Sequence, residues 1–454
     1  MERKKTLNSK KMEVTFTTGS IPKSMLVFVG PYMLGILVQN LYGAVDLFVV
    51  GHYATTADIS AVTIGSQLMS VVTQLIIGFA TGITMLIGQY CGAENKKGLA
   101  QTAGSSVLLF SGLAILLSGI YFALYRFMIT LMQTPAEAVA PTKSYLFVCT
   151  IGIIFIVGYN VINSILTGMG DSKTSFLFIL IACFINIVFD VILVKYLHLG
   201  ALGAAIATTI AQAGSFLFAV LYIYKRGLGF QFHKTDIKLH KRETKSILKI
   251  GAPVAVQNIL VGMSFLFITA IINQMGIIAS AAVGVVEKLI TFLFVPATAL
   301  GTAVGTASSQ NIGAQQHARA RQCLWCGILM ALVPSVIITI FCQFGGSILT
   351  GILAKNMEVI ELAANYLRSY ILDIIMVSFV FCMNGYFNSC QKSWFSLVHS
   401  LVTTFAVRIP FSFYLSRLEN TSLFTIGWAA PASTLVSLLL CFGFLIKMNK
   451  NNTI

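Results

Sequence analysis

Apolar residues in this chain run in blocks of roughly 20 to 30, the length needed to cross a hydrocarbon core about 30 Å thick at 1.5 Å per residue. Polar positions are confined to the breaks between blocks and to a few isolated sites within them. The pattern predicts spans near 24–50, 60–90, 99–127, 138–168, 174–197, 201–224, 247–274, 279–310, 319–350, 359–390, 394–416 and 426–446. The expected fold is therefore an all-α polytopic membrane protein with twelve transmembrane helices.

The longest polar stretch, Arg226 to Thr244, falls near the middle of the chain, and the same landmarks recur on either side about 221 residues apart. Gly30-Pro31 is echoed by Ala252-Pro253, Gln89-Tyr-Cys-Gly-Ala93 by Gln310-Asn-Ile-Gly-Ala314, Tyr145-Leu146 by Tyr366-Leu367, and Asn163 by Asn384. Such a period is an internal repeat. It predicts two pseudo-symmetric six-helix lobes in the same orientation: a tail over 1–23, an N-lobe over 24–225, a linker over 226–246, a C-lobe over 247–447 and a tail over 448–454. A cleft between parallel repeats is where secondary transporters bind substrate.

Composition supports lipid as the solvent. Of 454 residues 57% are hydrophobic and 10% charged, against about 25% charged in a soluble domain. The net charge of +15 raises the question of nucleic acid, but topology accounts for it. Bases concentrate in alternate connections: the N-terminal tail, Lys96 and Lys97, Lys173, the run from Lys225 to Lys249, Arg319 and Arg321, Lys392, and Lys447 with Lys450. By the positive-inside rule these are cytoplasmic, which places both termini inside a multi-pass plasma-membrane protein. The partners expected are the bilayer and small solutes, with no nucleic acid. The first twenty residues have no apolar core and do not read as a signal peptide. Nine cysteines, several inside apolar runs, imply no disulfide framework; Cys323-x-x-Cys326 lacks a second ligand pair and reads as packing.

Ionisable groups inside spans cost roughly 2.5–3.5 kcal/mol each on insertion scales and mark pathways or cavities. They are Asp46, Asp190, Glu287, Lys288, Asp373 and Arg408. Gln39, Tyr42 and Asp46 share one helical face, as do Asn186 and Asp190. Their oxygens suit Na⁺, and a buried carboxylate suits a proton. Asp46 and Asp190 read as a cation site or, alternatively, as structural contacts between helices. Neither has an acidic counterpart in the second half, where the repeat gives Phe267 or Ile268 and Phe411. Asp373 and Asn384 suit a cavity wall or an interhelical contact, and Glu287 and Lys288 point in different directions. Pro31 predicts a kink, static or coupled to ion binding. Gly78 and Gly82, like Gly301 and Gly305, read as close-packing sites.

No phosphate loop, HExxH or GxSxG motif occurs, and no cofactor is implied. The reading is therefore a transporter, not an enzyme, driven by an ion gradient or a partner.

Taken together, Pro31 to Asp46 with Val50-Gly51, the two Gln-x-x-Gly-Ala endings, Gly168-Met-Gly-Asp-Ser-Lys173, Asn186-Ile-Val-Phe-Asp190 and Gly200-Ala-Leu-Gly-Ala-Ala-Ile-Ala-Thr208 resemble the multidrug and toxic compound extrusion (MATE) family over nearly the whole chain. The resemblance implies two lobes in a V, alternating access, and antiport of organic cations, drugs or toxic metabolites against H⁺ or Na⁺, by a chain expected to work as a monomer. Substrates would be small, amphipathic and cationic. It implies a cation site on Asp46, Asn163, Asn186, Asp190 and Thr208, with Pro31 as hinge. Gln39, Tyr42, Gln257, Glu287, Lys288, Asp373, Asn384 and Arg408 are the candidate cavity residues. Where some relatives carry an acid in span seven this chain has Gln257 and Asn258, leaving Glu287 or Asp373 as substitutes. The alternative is a flippase for a lipid-linked precursor, which would need more intramembrane bases than Lys288 and Arg408.

Overall fold

In lipid every backbone N–H and C=O must be satisfied within its own segment, so apolar blocks of this length form helices. The structure, a computed structural model, describes residues 15–419 and 421–450; the outer parts of both expected tails, including Arg3, Lys4, Lys5, Lys10 and Lys11, lie outside the described residues. The first half is α1 (Ile21–Tyr53), α2 (Thr56–Gly92), α3 (Lys96–Leu131), α4 (Ala136–Met169), α5 (Ser172–Asp190) and α6 (Gly200–Arg226). The second is α7 (Lys241–Asn273), α8 (Ile277–Leu293), α9 (Val295–Gly313), α10 (His317–Leu353), α11 (Met357–Tyr370), α12 (Asp373–Ser389), α13 (Ser393–Leu401), α14 (Ile409–Ser416), α15 (Leu423–Gly427) and α16 (Ala429–Lys450). No strand occurs among the described residues.

Ten of the helical runs are long and apolar enough to span a membrane, and two further spans are bent pairs, giving twelve. The sequence pattern treats 279–310 and 359–390 as single spans, but α8 and α9 meet at 40° and α11 and α12 at 49°. Pro296 in the first turn of α9 explains the first break, since proline supplies no N–H to the preceding turn. Spans five and eleven each contain a π-helical stretch, Val191–Tyr196 directly after Asp190 and Val402–Arg408 ending on Arg408. Such stretches leave the regular ladder and gather at functional positions.

Side chains such as Phe344 and Ile115 are 88% and 71% exposed, an apolar exterior that only lipid can solvate. Inside, each half has its own core, yet the first helix of each half begins in the other half's core. Met25, Phe28 and Val29 of α1 pack with Ala303, Leu324 and Tyr386 of the second half, whereas Val49 and Val50, nearer the helix end, join the first. Reciprocally, Ile247 of α7 lies in the first half's core. Glycines allow this crossing. A Cβ on Gly78 would strike the Ala255 backbone, and one on Gly251 would strike that of Phe79. Gly301 and Gly385 likewise bring α9 and α12 into backbone contact.

Candidate functional site

Three helices bring the first-half polar residues to one point. Asp46 on α1, buried at 7% exposure, accepts from Asn186 Nδ2 of α5 at 3.1 Å on Oδ1 and from Thr208 Oγ1 of α6 at 3.2 Å on Oδ2. One helical turn on from Asn186, Asp190 is fully buried and faces the carboxyl of Asp46 and the Asn186 amide. Both Asp190 oxygens are without a donor, as are the Asn186 Oδ1 and the Tyr42 hydroxyl, which sits beside Asp46 and Thr208. Two carboxyl groups in contact repel strongly if both are ionised and nothing lies between them; they share a proton or hold a cation. The donor set around them consists of oxygens and one amide, which fits H⁺ or a hard cation such as Na⁺.

Asn163 is not hydrogen-bonded to that group. It lies instead on the wall of a central cavity of about 330 Å³ between the halves, together with Gln39, Gln257 and Asn384. This cavity is lined by carboxamides, hydroxyls and apolar groups, and none of its lining side chains is charged. Pro31 lines a smaller space of about 40 Å³ with Tyr32, Gln39 and Asn163, and three of these, Tyr32, Gln39 and Asn163, also line the central cavity. Helix α1 remains continuous through Pro31.

The second-half candidates form a separate cluster. Arg408 donates from Nη2 to the Tyr370 hydroxyl at 2.7 Å and lies over the Phe265 ring at 4.6 Å, while its Nε has no partner. Asp373, buried at the start of α12 beside the bend, faces Thr434 and Arg408. A helix N-terminus favours negative charge. Thr269 Oγ1 donates to Glu287 Oε1 at 3.2 Å. Lys288 is exposed and lines none of the central cavity, because adjacent helix positions point about 100° apart.

One polar chain escaped the sequence reading. His399, 1% exposed on α13, joins Nε2 to Asn384 Oδ1 at 2.8 Å and Nδ1 to Ser437 Oγ at 2.8 Å. It connects the cavity wall to α16. A lone histidine in an apolar span was the only signal, and its partners are distant in sequence. Gln257 is similarly fixed, donating from Nε2 to Ser400 Oγ at 2.8 Å. No disulfide joins any of the nine cysteines.

Comparison with known proteins agrees with this geometry. The MatE family model matches residues 31–192 and again 253–414. The chain is 28% identical to the probable multidrug resistance protein YoeA of Bacillus subtilis (strain 168) over 433 residues, covering 94% of this chain and 93% of that one. It is 22% identical to the multidrug export protein MepA of Staphylococcus aureus (strain NCTC 8325 / PS 47), covering 89% of each. Among solved structures, a MATE crystallised with MaL6 superposes with a TM-score of 0.91 at 20% identity, covering 97% of this chain and 99% of that chain. An outward-facing multidrug resistance MATE transporter of the MOP superfamily gives 0.90 at 20% identity, covering 96% and 100%. Two copies of the family pattern in tandem, on a fold of two six-span lobes, mean that this chain belongs to the MatE family of multidrug and toxic compound extrusion transporters.

Proposed function

We propose that this multidrug efflux transporter is a secondary active antiporter that exports small amphipathic organic molecules, organic cations among them, in exchange for H⁺ or Na⁺. The observation that carries the reading is the buried Asp46 and Asp190 pair, bonded only to neutral donors. Loading a cation or proton there removes the repulsion between the acids and favours the arrangement that holds them together. Unloading favours separation of α1 from α5 and α6. Gln39 on α1 lines the central cavity and, with Pro31, the smaller space, so the same helix links ion loading to substrate access. The linker and both termini are assigned to the cytoplasm, and the working unit is the monomer.

A flippase for a diphosphate-linked lipid is not favoured, because the central cavity has no arginine or lysine in its lining to meet the anionic headgroup. The test is uptake of a fluorescent organic cation by inverted proteoliposomes under an imposed pH or Na⁺ gradient. Accumulation driven by one of the two gradients, and lost in Asp190→Asn, is expected. Equal dye movement with and without either gradient would overturn ion-coupled antiport.

A further inference from the structure

The Gln-x-x-Gly-Ala endings of α2 and α9 face each other across the two halves. Gln89 Nε2 donates to the Ser389 carbonyl at 2.7 Å, and Gln310 Nε2 donates to the Gly168 carbonyl at 3.0 Å. Gln89 and Gln310 stand 221 positions apart, and so do Gly168 and Ser389, so each half makes the same bond to the other. Both acceptors lie at the C-terminal ends of their helices, α4 and α12. The last four carbonyls of a helix have no intrahelical donor, and a glutamine from the opposite half supplies one. Each half therefore caps a helix of the other.

Two further features fit each glutamine to this task. Its amide oxygen is itself held: Gln391 Nε2 donates to Gln89 Oε1 at 3.2 Å, and the Phe16 backbone N–H donates to Gln310 Oε1 at 3.2 Å. With the oxygen engaged, the NH₂ is turned to the opposite half. Glycine then lets the helix ends meet. A Cβ on Gly92 would overlap the Gln310 carbonyl oxygen, and one on Gly313 would overlap that of Gln89. The segment before α1 reinforces the Gln310 side. Phe16 is 1% exposed, and its carbonyl accepts from Asn311 Nδ2 at 3.2 Å and Arg319 Nε at 3.0 Å. Arg319 Nη2 also donates to the Gly19 carbonyl at 2.7 Å.

We infer that Gln89 and Gln310 are the paired positioning residues of the gate on the linker-bearing face, each closing it by capping a helix end of the opposite half, with the Phe16 segment holding the Gln310 arm in place. Released capping carbonyls return to water, so each bond is weak in net terms and suited to repeated making and breaking. One net bond of this kind shifts the closed-to-open ratio by roughly 3- to 10-fold. The inference rests on the alternating-access reading above.

Hydrogen-exchange mass spectrometry of the full-length protein in lipid nanodiscs tests it. Gln310→Met keeps the length and removes the donating amide. Expected is a roughly 3- to 10-fold rise in exchange of residues 166–173 in the opposite half. Amides at the far ends of the spans, around 54–58 and 273–277, should slow as that face closes. Gln89→Met should do the same to residues 387–393. Phe16→Ala, which leaves both glutamines in place, should act in the same direction more weakly and serves if a glutamine variant fails to fold. Unchanged exchange in the opposite half, or a rise confined to the mutated helix with no slowing at the far face, overturns the gate. A gate that opens as expected in a protein showing no ion-driven uptake would overturn the antiport reading and leave the gate standing.

Discussion

Asn186 donates its side-chain N–H to Asp46 at 3.1 Å, joining α5 to α1 across 140 positions of sequence at the point where Asp190 also arrives. The amide spends its donor on one acid while its own oxygen is left unpartnered. It therefore contributes both a clamp and a free ligand atom. Asp46→Asn and Asp190→Asn are each expected to abolish ion-coupled efflux while leaving the protein inserted and folded, as read by dye uptake in proteoliposomes alongside the elution profile in detergent. Full transport in both variants would remove the first-half site from the mechanism.

The neutral ligands should grade below the acids. A hydrogen bond to a charged group is worth about 1.5–3 kcal/mol, roughly 10- to 100-fold. Asn186→Leu should raise the half-saturating concentration of the coupling ion by at least about tenfold, because it removes a donor and a ligand oxygen together. Thr208→Ala, which removes one hydroxyl, should give a smaller rise. Initial rates against ion concentration, at saturating substrate, provide the comparison; the reverse order would show that Thr208 is the principal ligand.

The meeting of Asp46, Asn186 and Asp190 was legible in part, because polarity is so rare in these spans that those three stand out and helical spacing sets Asn186 and Asp190 on one face; Thr208, one of two adjacent threonines, entered only through the family resemblance. Asn163, a landmark of the repeat that the resemblance set in the same site, lies instead on the cavity wall. Periodicity gives the face of a helix but not the neighbour that face meets. The bends between α8 and α9 and between α11 and α12 were lost inside unbroken apolar runs. Pro296 was visible, but a proline kinks as readily as it breaks. The crossing of α1 and α7 into opposite cores was invisible for another reason. Met25 and Ile247 are ordinary apolar residues whose destination depends on how the two repeats dock.

His399 ties the cavity wall to α16 through Asn384 and Ser437. His399→Phe would leave the buried Ser437 hydroxyl without its histidine partner, at a cost of about 1–3 kcal/mol, and would free the Asn384 oxygen at the cavity wall. With Asn384 released, substrate KM should rise roughly tenfold while ion dependence is retained, since the first-half site is untouched. His399→Gln, which can still reach one partner, should fall between. A variant with unchanged KM and a lower thermal midpoint would reduce the chain to a structural contact.

Orientation follows from labelling. None of the nine native cysteines is exposed, which gives a low background. Lys234→Cys in the linker between α6 and α7 should resist an impermeant maleimide applied to intact cells and react once the membrane is opened. Lys355→Cys, between α10 and α11, should react from outside. The opposite pattern would invert the topology and with it the direction of export.

Stoichiometry follows from charge. One elementary charge crossing 100 mV is worth about 2.3 kcal/mol, roughly a fifty-fold gradient at 1.4 kcal/mol per decade. If one H⁺ or Na⁺ enters for each monovalent cation exported, net charge movement is zero and the membrane potential adds nothing. Two ions per cycle would use it. Asp46 and Asp190 touch one another in a buried site whose other ligands are neutral. Such a pair holds one positive charge far more readily than two, because a second cation must enter against the first in the same small volume. One-for-one exchange is therefore expected. In vesicles with a monovalent cationic substrate, a valinomycin-imposed potential without any H⁺ or Na⁺ gradient should drive no uphill transport, whereas a neutral substrate should be moved by that potential because its cycle carries the ion's charge alone. Strong accumulation of the cationic substrate under potential alone would mean that each acid is loaded separately.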